Sequence, residues 1–113
     1  MADRSFLAWP FFDDGHRAYE RELAAWARDA LPPLVAGPHE QDLDAVYACS
    51  RTLVRELGRA GLLRACVPGA YGGLREQVDV RSLALARETL GYAHPLADFA
   101  LAMQGLGSVP VSL

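Results

Sequence analysis

The stretch GRAGLLRACVPGAYGGL, residues 58–74, decides the fold of this chain because it separates two regions of helical pattern. Gly61 is predicted to end the preceding helix, since glycine adopts the left-handed conformation after a helix without a steric clash. Residues 62–67 are too short and too apolar for another helix, which favours an extended segment that crosses the core. Residues 67–70, with the sequence Val-Pro-Gly-Ala, are typical of a type II turn.

The end of the same stretch predicts a close backbone contact. Gly72 and Gly73 are adjacent, and two glycines let the main chain pass close to a neighbouring segment. The ring of Tyr71 is expected to fill the gap that they leave. The glycine pair is not a phosphate-binding loop, because it is part of neither G-x-G-x-x-G nor a glycine-rich turn followed by Lys-Ser or Lys-Thr.

A first amphipathic helix is predicted well before this stretch. It begins at a cap formed by Asp13 or Asp14, runs toward Leu34, and is ended or kinked by Pro32-Pro33. Apolar residues recur at helical spacing on one face, and charged residues are placed on the other. The apolar residues are Tyr19, Leu23, Trp26, Ala30 and Leu34, and the charged residues are Arg17, Glu20, Arg21 and Arg28.

A linker at residues 36–41 precedes a second helix, which is capped by Asp42 or Asp44. A third helix is capped by Asp79, runs through about Leu90 and is stopped by Gly91. Both helices have an apolar stripe at helical spacing, so three helices suffice to bury one another. The stripes are Val46, Cys49, Leu53, Leu57 and Ala60 in the second helix and Val80, Leu83, Ala86 and Leu90 in the third.

A fourth helix differs from the others because it has no solvated face. Pro95 suits its first position, and Asp98 complements the positive end of the helix. After Asp98, Gln104 is the sole polar side chain as far as Leu106. A helix that is apolar all round is buried on all sides, and a domain of this size covers only one side. We therefore expect a second partner for this helix outside the 113 residues.

These elements predict an all-α fold: a helical bundle of about four main helices with a short extended crossing segment. Residues 1–12 are expected to form an irregular N-terminal arm, in which Phe6 and Trp9 cover an apolar patch. Residues 13–113 are expected to form one helical domain. A chain of 113 residues has the length of a single domain and buries about 65% of its unfolded surface.

Charge and hydropathy exclude two classes of partner. The net charge is −3, and all 11 basic residues are arginines interleaved with acidic or apolar residues, so no basic stripe is available for nucleic acid. No run approaches the ~18 consecutive apolar residues of a membrane span, and the N-terminus lacks the pattern of a leader peptide. The expectation is a cytoplasmic protein without nucleic-acid or membrane partners.

The chain offers no candidate catalytic, cofactor-binding or metal-binding residue by motif. Cys49 and Cys66 lack the spacing of a zinc or redox pair and are expected to be free buried thiols. His16, His39 and His94 have no second ligand at metal spacing. His16 and His94 lie near helix starts, where we interpret them as capping or surface residues.

The order and spacing of several motifs are similar to those of a known family. A helix ending in G-x-x-G-L-L is followed by V-P-x-x-Y-G-G, by a helix opened by Asp, and by Glu88-Thr89-Leu90. Residues 104–110 and residues 11–17 resemble the family's segments at the matching distances. The chain, from roughly residue 11 to residue 113, resembles the N-terminal helical domain of the acyl-CoA dehydrogenase family.

This resemblance implies an FAD-dependent enzyme that oxidises the Cα–Cβ bond of an acyl-CoA thioester. In the family a middle β domain and a C-terminal helical domain hold the flavin, and the C-terminal domain usually carries the glutamate base. The sequence is then expected to be a fragment: a separate domain, a truncated product or one part of a split enzyme. Such a fragment is expected to be inactive and to bind no FAD by itself.

The resemblance also implies a role for the fourth helix. In the family this helix forms the far wall of the acyl-chain pocket. Carried over by position, Phe99, Ala102, Met103 and Leu106 would contact or limit the acyl group. The small Ala102 would leave room for it, whereas Phe99 and Met103 would narrow the pocket.

Two alternatives remain open at the level of sequence. The complete protein could be an acyl-CoA oxidase or a flavin-dependent monooxygenase of the same fold. The chain could also be a stand-alone helical interaction module. For a complete enzyme of the acyl-CoA dehydrogenase family, the implied partners are an acyl-CoA substrate and the remaining domains or a second subunit, and a homo-oligomer is expected.

Overall fold

A computed structural model describes residues 2–37 and 41–113. These residues form five α-helices and three short 3-10 helices and contain no β-strand, which confirms the all-α prediction. The predicted linker at 36–41 and His39 lie wholly or partly outside the described residues. The α-helices are α1 (Asp14–Asp29), α2 (Leu31–Val35), α3 (Leu43–Arg59), α4 (Val80–Ala93) and α5 (Pro95–Ser112), and the 3-10 helices are Ser5–Ala8, Leu62–Cys66 and Gly69–Tyr71.

The predicted helix starts are confirmed by the side chains that cap them. Asp13, Asp42 and Asp79 each accept a hydrogen bond from a backbone N–H in the first turn of the helix that follows. His94 caps α5 through its imidazole, which accepts from the backbone N–H of Leu96 at 3.1 Å. Pro95 occupies the first turn of α5, where its missing N–H costs no hydrogen bond.

The break predicted at Pro32-Pro33 is confirmed at Ala30, whereas the end predicted at Gly91 is wrong. The first helix stops at Asp29, and the two prolines lie in the first turn of α2, a position that tolerates proline. Leu34 therefore belongs to α2. The third helix continues through Gly91 to Ala93 and ends where the backbone of His94 becomes extended. Gly91 has no positive φ and lies within the helix, next to Asp98 of α5.

The central stretch is more helical than its sequence predicted. Gly61 ends α3 in the left-handed conformation with a φ of 77°, as expected. Residues Leu62–Cys66, expected to be extended, instead form a buried 3-10 helix. A 3-10 helix satisfies backbone groups within five residues, which an isolated extended segment in an all-α core cannot do.

The type II turn is also wrong. Gly69 begins the 3-10 helix Gly69–Tyr71, and the positive φ of 85° lies at Gly72. Tyr71 does not fill a gap, because it is 67% exposed. The close approach itself is confirmed at Gly73, where an added Cβ would lie 1.9 Å from the carbonyl oxygen of Val67.

The core lies where α1, α3, α4 and α5 meet around the buried 3-10 helix. Tyr19 joins α1 to this helix, since its buried hydroxyl donates to the carbonyl of Leu62 at 2.7 Å. Val80, predicted to be buried, is 76% exposed. The buried apolar residues are Tyr19, Leu23, Leu31, Cys49, Leu53, Leu57, Leu62, Ala65, Cys66, Leu85, Ala86, Leu90, Ala97, Ala100 and Leu101.

The N-terminal arm is held on α1 and α4 by polar contacts that sequence patterns do not reveal. Glu20, assigned by periodicity to the solvated side of α1, is buried and forms an ion pair with Arg4. Arg4 also donates to the hydroxyl of the buried Thr89 at 3.2 Å. The arm contains one 3-10 turn, and Phe6 packs edge-to-face on Phe12 at 5.8 Å. The arm is thus part of the packed fold.

Candidate functional site

Helix α5 buries one face and exposes another apolar face. Ala97, Ala100 and Leu101 are buried against the rest of the domain. In contrast, Phe99 is 59% exposed and Leu106 is 66% exposed. The apolar surface of this helix therefore exceeds what the domain covers, as the sequence predicted. Its exposed face is the candidate functional surface of the chain.

The four residues predicted for an acyl pocket lie on this face but do not share one cavity. At about 100° per residue, they span an arc of about 100° on α5. Ala102 and Leu106 line a groove between α4 and α5, whereas Phe99 and Met103 line a second groove between α3 and α5. The structure thus brings the residues together in two pairs, on either side of the exposed face.

The α4/α5 groove has a volume of about 390 Å³ and an apolar lining, apart from one charged side chain. Arg87 lies at the groove and forms a two-pronged ion pair with Asp98, with distances of 2.8 and 3.2 Å. The carboxylate of Asp98 raises the pKa of Arg87 above its usual value, so the guanidinium stays charged. The lining residues are Leu83, Arg87, Leu101, Ala102, Gly105, Leu106, Val109 and Pro110.

The α3/α5 groove is of similar size, about 480 Å³, and has more polar side chains at its edge. Tyr47 on α3 is 55% exposed beside it, opposite Phe99 and Met103 of α5. Sequence reasoning placed Tyr47 in no functional role. Leu43 lies one turn before Tyr47 on α3 and is 62% exposed. The apolar surface of α5 therefore continues onto α3. The remaining lining residues are Val46, Ser50, Arg51, Val54, Leu96, Ala100 and Gln104.

A third groove, of about 420 Å³, lies between the C-terminal half of α5 and the turn that holds Tyr71. This turn is fixed by Arg64, whose guanidinium donates to the carbonyls of Gly72 at 3.0 Å and Gly73 at 3.3 Å. Pro110 lies inside α5 near this end. A proline in a helix removes one backbone hydrogen bond. Together, the three grooves place apolar surface along most of the length of α5.

A polar cluster joins the starts of α1 and α4 away from these grooves. His16 is buried, its Nδ1 accepts from the backbone N–H of Asp13 at 2.9 Å, and its Nε2 lies 2.5 Å from Asp79. The accepting Nδ1 places the proton of a neutral ring on Nε2, which donates to the carboxylate. The capping role of His16 is confirmed, and the surface alternative is wrong. With both ring nitrogens bonded, this histidine links two helix caps.

Arg75 completes this cluster by binding both carboxylate oxygens of Asp13, at 2.7 and 2.9 Å. The guanidinium of Arg75 and the backbone N–H of His16 hold the pKa of Asp13 well below its usual range. At Asp79, burial alone would raise the pKa, but hydrogen bonds from Ser82 and His16 outweigh it and lower the pKa. Both carboxylates are thus ionised and accept hydrogen bonds from neighbouring groups of the fold. This arrangement indicates a structural role for the cluster.

The remaining motif-level expectations concern metals, thiols and membranes. Within residues 2–37 and 41–113, no group of three or more His, Cys, Asp or Glu side chains is placed to hold a metal. Cys49 and Cys66 are free and buried, as predicted, and burial raises the pKa of both thiols. No helix among the described residues has the length and hydropathy needed to cross a bilayer.

The fold and the exposed face of α5 define a class of protein: an all-α domain with an apolar helix face that the domain itself does not cover, flanked by grooves. The comparison with known families specifies this class. Residues 13–112 match the family described as acyl-CoA dehydrogenase, N-terminal domain. The chain belongs to this family, which confirms the resemblance drawn from its motifs. No curated protein gives a significant match to the chain.

Proposed function

We propose that this chain walls the acyl pocket of an FAD-dependent acyl-CoA dehydrogenase, which oxidises an acyl-CoA thioester at its α,β bond. The observation that supports the proposal is the exposed apolar face of α5, in a chain of this family, with a groove on each side of it. The remaining domains of the enzyme or a second subunit would cover this face, within a homo-oligomer. By itself the chain would be inactive.

The grooves suit an acyl chain in size and polarity. Ligand pockets commonly measure about 300–1,000 Å³ and are mostly apolar, and both grooves fall within this range. Each methylene group transferred from water to such a surface contributes about 0.8 kcal/mol. In the proposed enzyme Ala102 leaves room for the acyl chain, and Leu106 limits its depth. Phe99 and Met103, which line the α3/α5 groove, would limit the acyl group on that side of α5.

The lining of the α4/α5 groove does not fit the flavin itself. FAD presents a pyrophosphate and a ring with several polar atoms, which need an array of hydrogen-bond donors. The apolar α4/α5 groove offers only the guanidinium of Arg87, and that group already binds Asp98. We therefore assign no FAD contact to this chain and derive no step of the reaction from it. In this proposal FAD belongs to the complete enzyme.

The experiment is a chain-length series on the complete enzyme with Ala102→Phe. A large side chain at this position should lower kcat/KM for the longest acyl-CoA substrates by about 1–3 kcal/mol of transition-state stabilisation. Short acyl-CoA substrates should be nearly unaffected, because their tails do not reach the wall. Ala84→Phe on α4 is the matched control, since Ala84 is exposed and lines neither groove.

The dependence on chain length separates the possible results. A loss that grows with the length of the acyl chain for Ala102→Phe, but not for Ala84→Phe, supports the proposal. An equal loss at every length indicates a folding defect and counts against a pocket role. No loss at any length places Ala102 away from the acyl group.

A further inference from the structure

The α4/α5 groove has the guanidinium of Arg87, 58% exposed and paired with Asp98, at one end of an apolar surface. Helices α4 and α5 are joined by a tight turn at His94. Arg87 lies one turn beyond Leu83 toward this junction, so the charged end of the groove is the end nearest the turn. The other side chains of the lining are apolar. Such a surface distinguishes the two ends of a ligand.

The ion pair with Asp98 orients the guanidinium without using all its donors. Arginine has five N–H donors, and the bonds to Asp98 occupy one on Nε and one on Nη2. Asp98 is 22% exposed and lies beside Gly91 of α4. The side chain of Arg87 is 58% exposed, so its three other N–H groups face solvent beside the groove and are available to a ligand.

We propose that the α4/α5 groove takes a ligand with an aliphatic body and an oxygen acceptor at the end next to Arg87. The Arg87–Asp98 pair has no net charge, so recognition comes from directed N–H donors and extends to a neutral hydroxyl or carbonyl as well as to a carboxylate. This inference rests on the proposed function. For an acyl substrate, it means an oxygen-bearing group along or at the end of the acyl chain.

The closing experiment compares three six-carbon probes on the 113-residue chain: 1-hexanol, hexanoate and hexylammonium. Each is titrated into dilute 15N-labelled protein while the backbone amides of Ala102 and Leu106 and the side chain of Arg87 are followed. Hexanol and hexanoate should bind about five-fold more tightly than hexylammonium, the size of one net hydrogen bond. In Arg87→Met the advantage should disappear, whereas in Arg81→Met, on the exposed side of α4, it should remain.

The outcomes distinguish this inference from the proposed function. Equal affinity of all three probes at Ala102 and Leu106 overturns the preference for an oxygen acceptor. It does not contradict the proposal that this chain walls the acyl pocket. Tightest binding of hexylammonium also overturns it, because Asp98 would then recognise the ligand. If no probe shifts Ala102 or Leu106, this inference fails, whereas the wall role is decided separately by the chain-length series on the complete enzyme. The comparison among probes uses only the parent chain, so it remains valid even if a variant misfolds.

Discussion

At the residue scale, glycines decide how tightly the central stretch can close. Gly73 lies so near the backbone of Val67 and Pro68 that any side chain would overlap with main-chain atoms. Gly107 on α5 is the opposite case, because an added Cβ there would meet nothing within 4 Å. Adjacent glycines in the sequence predicted a close contact. Which of Gly72 and Gly73 makes it depends on the path of the backbone, which sequence does not specify.

The first prediction compares alanine at these two positions. Gly73→Ala should lower the free energy of unfolding by about 3 kcal/mol, at the upper end of the cost of overpacking, because backbone atoms cannot move aside. Gly107→Ala should raise it by about 0.5–1 kcal/mol, since alanine favours a helix interior over glycine. Urea unfolding followed by circular dichroism measures both. A neutral Gly73→Ala variant would contradict the close packing of this turn.

At the scale of elements, sequence predicted helix starts better than helix ends. A start has a local signal, because one side chain such as Asp42 or Asp79 bonds the free N–H groups of the first turn. The break at Pro32-Pro33 was also predictable, because a proline cannot donate a hydrogen bond to the carbonyl four residues before it, whereas the end predicted at Gly91 was wrong. The 3-10 helix at residues 62–66 was missed because its apolar pattern fits a buried strand equally well.

The contact between the start of α1 and the loop before α4 should make stability depend on pH. The pKa of Asp13 is lower in the folded state than its ordinary value of 3.8, mainly because Arg75 binds it. A carboxylate of this kind stabilises the fold above its unfolded pKa, and the stabilisation is lost as the pH falls toward the folded pKa. Arg75→Gln should therefore lower the melting temperature at pH 6, and the difference from the parent should shrink below about pH 4.

Thermal unfolding between pH 2 and pH 7 tests this prediction. Arg81→Gln is a suitable control, because Arg81 is exposed and has no ion pair among the described residues, and its effect should be the same at every pH. A difference for Arg75→Gln that is as large at pH 2 as at pH 6 would mean that Arg75 acts through packing, independently of the charge on Asp13.

At the scale of the whole molecule, the surplus apolar surface of α5 was predictable from sequence, but its division between two grooves was not. The sequence shows that α5 lacks a polar face, which is a property of one helix. That Ala102 and Phe99 line different grooves depends on where α3 and α4 lie beside α5. Arg87, which is 58% exposed beside the groove, was missed as a candidate site residue because no motif marks it. Its position at a groove follows only from the packing of two helices.

The last prediction is that the 113-residue chain self-associates. Phe99 is 59% exposed, Leu106 is 66% exposed, and both lie on one face of α5 beside the grooves. Contiguous apolar patches beyond a few hundred Å² are rare on monomeric proteins, so copies of the chain should cover this face for one another. In sedimentation velocity, the mean mass should rise with protein concentration. Replacing Phe99 and Leu106 by Gln should suppress this rise, whereas Val80→Gln, on α4 and 76% exposed in the parent, should not. A parent chain that stays monomeric at high concentration and binds no apolar dye would show that the exposed face is too small to drive association.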